Sequence, residues 1–124
     1  MIHMKAQLKP VVAHPIPLAA LKELAEPTRL RILFALGTEC RPVSDIMLAT
    51  DLPQTNVSFH LRVLREGGWV RAERRGAYVY YCLVDAALLG ILEQLSHWMR
   101  THCKGTEAAV GPVRRAPNRL VSNM

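Results

Sequence analysis

The sequence predicts a mainly α fold carrying one β-hairpin, a winged helix-turn-helix, and three observations predict it. Residues 44–50 and 53–65 read as a short helix, a tight polar break and a second helix with an apolar inner stripe and a polar leading turn. Residues 70–83 then alternate on either side of a basic turn, as a β-ribbon does. Apolar side chains recur at helical spacing before and after this centre, over residues 18–36 and 88–102.

In chain order, residues 1–14 show no period and contain Pro10, which predicts a flexible N-terminal arm. Pro15 and Pro17 lead into Leu18, Leu21, Leu24 and Ala25, the stripe of a first helix. The Glu26-Pro27 step ends it, because the residue before a proline avoids the α region. Proline in turn suits the first turn of the next helix, over residues 27–36. That helix is expected to bury Leu30, Leu33, Phe34 and Leu36, to point Arg29 and Arg31 away from the core, and to stop at Gly37. Residues 38–42 form a connector, and Ser44 is a candidate cap for the brace helix.

In the second helix of the motif, Val57, Leu61 and Leu64 point inward. In the ribbon, Val70 and Ala72 share a face. Beyond the turn Arg74-Arg75-Gly76-Ala77, Val79, Tyr81 and Leu83 have one parity and Tyr78, Tyr80 and Cys82 the other. On this parity Cys82 projects away from the core. Asp85 is a candidate N-cap for a last helix that runs to about residue 102, with Leu88, Ile91, Leu92, Leu95, Met99 and His102 on one face. Residues 104–124, with Pro112 and Pro117 and few large apolar side chains, read as a disordered basic tail.

A chain of 124 residues suits one domain, at residues 15–103, with two tails. The formal charge is +6, but Lys and Arg exceed Asp and Glu by only one within residues 15–103. Inside the domain the positive charge gathers on the second helix of the motif and the ribbon: Arg62, Arg65, Arg71, Arg74 and Arg75 against Glu66 and Glu73. Phosphate binding needs that concentration. No apolar run reaches the roughly 18 residues of a membrane span, and no basic stretch followed by an apolar one marks an export signal. The cysteine count is odd, at three, which argues against a disulfide framework and for a reducing, cytoplasmic setting.

A reading helix meets bases with its first turns, and here those turns offer Gln54, Thr55, Asn56, Ser58, Phe59 and His60, with Arg62 one turn on. Gln and Asn pair bidentately with adenine, Ser and Thr bond phosphate or base, and Phe contacts a thymine methyl. Arg74 and Arg75 at the ribbon tip would contact the phosphate backbone or the minor groove of double-stranded DNA. Glycine-rich phosphate loops, HExxH and nucleophile elbows are all missing from the sequence, so no catalytic residue and no required cofactor is expected. A protein-interaction module that uses the same fold without DNA is the competing class, and the charge distribution speaks against it.

Three segments carry a resemblance: Leu24-Ala25-Glu26-Pro27-Thr28-Arg29-Leu30-Arg31-Ile32-Leu33, the run from Gln54 to Gly68, and Arg74-Arg75-Gly76 with Tyr80-Tyr81. In order and spacing they resemble the ArsR/SmtB metalloregulators over about residues 18–103. The resemblance implies a homodimer joined through the first and last helices, whose apolar stripes would otherwise face water. It implies a repressor that leaves its operator when a small inducer binds, and two half-sites about one DNA turn apart.

The resemblance also implies where inducers would bind, and this sequence departs from it. The family's arsenic-binding cysteine pair at the brace helix falls on Pro42 and Ser44. Its zinc site falls on Asp85, Ala87, Trp98 and Thr101, of which only Asp85 is a ligand type. The region of its persulfide-sensing cysteine holds Phe34 and Ala35. The thiols present are Cys40, Cys82 and Cys103, and soft thiolates suit soft metalloids.

Cys82 and Cys103 are separated by a helix of roughly 27 Å, so one chain cannot bring them together, whereas an antiparallel pair of last helices can. That arrangement makes Cys82 and Cys103 the expected ligands of a trivalent arsenical, methylated arsenicals included, with Cys40 set behind them. Oxidation or persulfidation of the same thiols is the alternative, as is no cysteine sensing at all. His60 reads as a DNA or packing residue, His97 and His102 as structural, and His3 and His14 lie in the arm.

Overall fold

The computed structural model describes residues 16–104, so the arm expected at residues 1–14 and all but the first residue of the tail lie outside the described residues. The elements run α1 (Leu18–Leu24), α2 (Pro27–Leu36), β1 (Arg41–Pro42), α3 (Val43–Thr50), α4 (Gln54–Glu66), β2 (Val70–Arg75), β3 (Tyr78–Leu83) and α5 (Ala87–His102). The three strands form one antiparallel sheet in the order β1-β3-β2. This is the winged helix-turn-helix expected from the sequence.

Ile32, Leu33, Leu36, Ile46, Val57, Leu61, Leu64, Val70 and Leu83 make one core, joined by Leu89 and Leu92. α4 inserts the stripe its spacing predicts, whereas α2 buries Ile32, Leu33, Ala35 and Leu36, with Leu30 and Phe34 only half-buried. α5 turns Leu89 and Leu92 inward rather than the face carrying Ile91, Leu95 and Met99. The sheet contributes the face carrying Val70 and Leu83. Glu26 caps α2, its Oε2 accepting the Arg29 backbone N–H at 2.8 Å, and Pro27 fills the first helical position. Gly37 ends α2 with φ at +64°, a conformation that favours glycine. Between α3 and α4 the chain turns at Asp51, φ +58°, in the left-handed region that Asp tolerates better than most residues.

Several local expectations change. Ser44 is not the cap of α3: the helix starts at Val43 behind Pro42. The connector contains strand β1. Arg29 and Arg31 do not point into solvent but turn their guanidiniums onto carbonyls that helix ends leave open. Arg29 Nε donates to Glu23 O at 2.6 Å, and Arg31 Nη2 donates to Thr50 O, the last residue of α3, at 2.6 Å. Asp85 is not the N-cap of the last helix, which is Ala86; it stands one residue earlier, and its Oδ1 accepts from the N–H of Ala87, the first helical residue, at 2.9 Å.

The outer helices carry apolar side chains that the described residues leave uncovered. α1 buries no residue, and Ile16, Leu18 and Leu21 are exposed beside it. On α5, Leu89 and Leu92 enter the core, while Ile91, Leu95, Trp98 and Met99 stand outside, Trp98 at 55 % exposure. Trp98 stacks on His102, with ring centroids 4.4 Å apart.

Candidate nucleic-acid interface and thiol cluster

Helix α4 sorts its residues by period. Val57, Leu61 and Leu64 lock it onto α2 and α3, which leaves Gln54, Thr55, Asn56, Ser58, Phe59 and Arg62 on the open side. Phe59 is 54 % exposed, more than a core phenylalanine tolerates. Thr55 Oγ1 and Asn56 Oδ1 lie 3.5 Å apart at the leading turn. Pro53 precedes the helix without a side-chain cap, so no side chain occupies the positive end of the helix dipole at the leading turn.

His60 is the exception among the expected DNA contacts. Its ring turns inward, where Arg29 Nη1 donates to Nδ1 at 3.2 Å and Glu26 Oε2 lies 3.9 Å from the same nitrogen. Only 16 % of its side chain is exposed. The reason is positional: His60 falls three residues after Val57 and four before Leu64, inside the buried stripe. It braces α4 against the start of α2 and is withdrawn from the reading face.

The ribbon closes in the two-residue turn Gly76-Ala77, with Arg75 opposite Tyr78. Gly76 has φ at +63° and Ala77 is not among the positive-φ residues, as in a II′ turn. Arg74 and Arg75 therefore leave on opposite faces. Arg74 is exposed and, among the described residues, makes no ion pair. Arg75 is held back: Nε donates to Glu73 Oε2 at 2.6 Å and the guanidinium sits 4.7 Å from the Tyr80 ring centre. Arg71 Nη1 bonds the other Glu73 oxygen at 3.2 Å. These contacts, Arg75 first and Arg71 second, hold the Glu73 carboxyl below the usual carboxylate range. Glu73 consequently stays ionised through the neutral range and masks both arginines there. Its replacement in E73Q is expected to tighten operator binding about tenfold in dilute salt and to steepen the log–log salt dependence by about one. Fluorescence anisotropy at several salt concentrations checks both.

The cysteines are arranged otherwise than the sequence suggested. Cys40 and Cys82 form a disulfide with Cα atoms 4.3 Å apart, and Cys103 is the free, exposed thiol. The register explains the pairing. Arg41 faces Tyr81 across β1 and β3, so the preceding residue on one strand meets the following residue on the other. Cys82 does lie on the face opposite Tyr81 and Leu83, as its parity requires, but it is only 4 % exposed because Cys40 and β1 cover it. The expected pairing of Cys82 with Cys103 is thus pre-empted by Cys40, and the inference from an odd cysteine count to no disulfide is overturned. Ligand atoms of Cys40, Cys82 and Glu73 all lie within 4.8 Å of one another.

At the positions of the metal site on the last helix, the structure offers no ligand set. Asp85 Oδ1 is engaged by the Ala87 backbone N–H. The Thr101 hydroxyl donates to His97 O at 3.1 Å and to Trp98 O at 3.0 Å. His102 Nδ1 lies 2.9 Å from Trp98 O. Among the described residues no helix is long and apolar enough to cross a membrane.

Residues 24–71 match the family profile described as a helix-turn-helix domain. The chain is 33 % identical over 107 residues to the arsenic resistance transcriptional regulator ArsR1 of Pseudomonas putida, covering 78 % of this chain and 77 % of that protein. It is 38 % identical over 76 residues to the HTH-type transcriptional regulator NmtR of Mycobacterium tuberculosis, covering 61 % of this chain; the match spans 63 % of NmtR, less than two thirds of its length. Among solved structures, a homodimeric winged helix-turn-helix DNA-binding domain from Mycobacterium bovis, a possible ArsR-family transcriptional regulator, superposes with a TM-score of 0.59 at 28 % identity. That match covers 76 % of this chain and 94 % of the other.

Proposed function

The chain belongs to the ArsR/SmtB family of winged helix-turn-helix regulators, and from that premise we propose that it is a cytoplasmic, homodimeric transcriptional repressor that binds double-stranded operator DNA and releases it when a thiol-seeking inducer arrives. The observation that carries this reading is the open side of α4, where Gln54, Thr55, Asn56, Ser58, Phe59 and Arg62 stand clear of the core next to an arginine-tipped ribbon. A helix so presented enters the major groove with its leading turn, while Arg74 reaches the flanking backbone. The uncovered apolar faces of α1 and α5 support a two-fold assembly, which sets two reading helices about one DNA turn apart.

A palindromic operator fragment in a gel-shift assay tests this. Binding is expected to weaken by about a thousandfold or more between 50 and 200 mM salt if about six phosphates are neutralised per dimer. Indifference to the fragment in dilute salt removes the DNA reading and leaves a protein-interaction module.

The inducer we favour is a trivalent arsenical, methylated forms included, bound through cysteine thiols. Support comes from the name of the arsenic-resistance relative and from the softness of thiolates toward soft metalloids. The Cys40–Cys82 disulfide favours a second reading, in which oxidation of that pair changes the affinity for DNA. Titration of the protein–operator complex with methylarsenite, arsenite, zinc and a peroxide separates them by which one releases the DNA.

A further inference from the structure

We propose that Cys40 and Cys82, once reduced, form a two-sulfur chelate within one subunit for a monosubstituted trivalent arsenical, at the junction of β1 and the wing. The proposal rests on the thiol-inducer reading above and deepens it by moving the site. Cys40, immediately before β1, faces Cys82 on β3, with Cα atoms 4.3 Å apart. Neither needs a partner subunit to meet the other.

The donor count selects the ligand. Glu73 is the third group within reach, but it is a hard oxygen donor already paired with Arg71 and Arg75, whereas soft trivalent arsenic takes sulfur. Two sulfurs are therefore what the cluster supplies. Structural zinc wants four protein ligands, and catalytic zinc wants three. An arsenic atom that already carries one carbon wants only two more bonds.

The chemistry balances in two steps. A small thiol reduces the disulfide, two RSH giving RSSR and returning the two cysteine thiols. An organoarsenous acid R′As(OH)2 then exchanges its two hydroxyls for the two sulfurs, forming two As–S bonds and releasing two waters, with arsenic trivalent throughout.

The position gives occupancy a route to DNA. β1 runs directly into α3, for which Pro42 is the N-cap, and β3 is the inner strand of the wing. Replacing one S–S bond by two As–S bonds pushes those strands apart at the point where the brace helix meets the ribbon. The two DNA-contacting elements are then re-aimed relative to each other.

The test is uptake of phenylarsine oxide by the reduced full-length chain, read by intact mass after washing with a monothiol. One arsenical per chain is expected for the natural sequence, for C103S and for E73Q. None is expected for C40S, for C82S or for the unreduced protein. Cys40 is the more exposed of the two, so C40S decides the matter if C82S fails to fold. Retention of the arsenical by C40S with its loss in C103S overturns the proposal, as does stoichiometric zinc uptake at the cysteine pair. Since the readout involves no DNA, failure of the chelate is distinguishable from failure of the repressor reading, which the operator gel shift decides.

Discussion

Leu95→Glu is expected to split the two-fold assembly and to lower operator affinity by a factor of about 10²–10⁴. Leu95 is 47 % exposed on α5, in a row with Ile91, Trp98 and Met99, and it contributes little to this subunit's own core. A carboxylate there costs the monomer little. In a dimer it would be buried against apolar partners without a counter-ion, which costs several kcal/mol. The loss of affinity follows from geometry: two linked reading helices meet the second half-site at high effective concentration, and a monomer does not. Size-exclusion chromatography with light scattering reads the mass, and anisotropy reads the affinity. Retention of the dimer would place the interface elsewhere.

Leu61→Ala is expected to destabilise the fold by about 3 kcal/mol and to lower Tm by roughly 12–24 °C. Leu61 is 1 % exposed, in the same core cluster as Ile32, Leu33 and Ile46. Its removal leaves a cavity that neighbouring helices cannot fill without moving. Phe59→Ala, two residues earlier and on the open side, makes the contrast. Its expected effect on stability stays within about 0.5 kcal/mol, while operator binding weakens. Thermal melts alongside anisotropy distinguish the two faces of α4 directly.

The main elements were legible because periodicity reports burial. Val57, Leu61 and Leu64 announced α4 with its inner face, and Val70 with Leu83 announced the core side of the ribbon. His60 was legible too, since it shares that inner spacing, but its polar side chain suggested a DNA contact. What it meets, Arg29 and Glu26, comes from a helix about thirty residues away, and no local pattern encodes that meeting. The same holds for Arg29 and Arg31. Long cationic side chains look solvent-bound in a helical wheel, yet the carbonyls at Glu23 and Thr50 draw them back.

The cysteine pair was the least legible feature. It depends on β1, two residues long and half proline, which shows no alternation at all. Once β1 lies beside β3, the pairing follows from register alone.

The indole of Trp69 donates through Nε1 to Glu23 Oε1 at 3.0 Å, and a side chain added at Gly67 would meet that carboxylate at 2.4 Å. One acidic group thus ties the root of the ribbon to α1. If α1 lies in the proposed dimer seam, a change in tilt between two subunits would be passed through this tether to the ribbon, linking the spacing of the pair to the grip of each member.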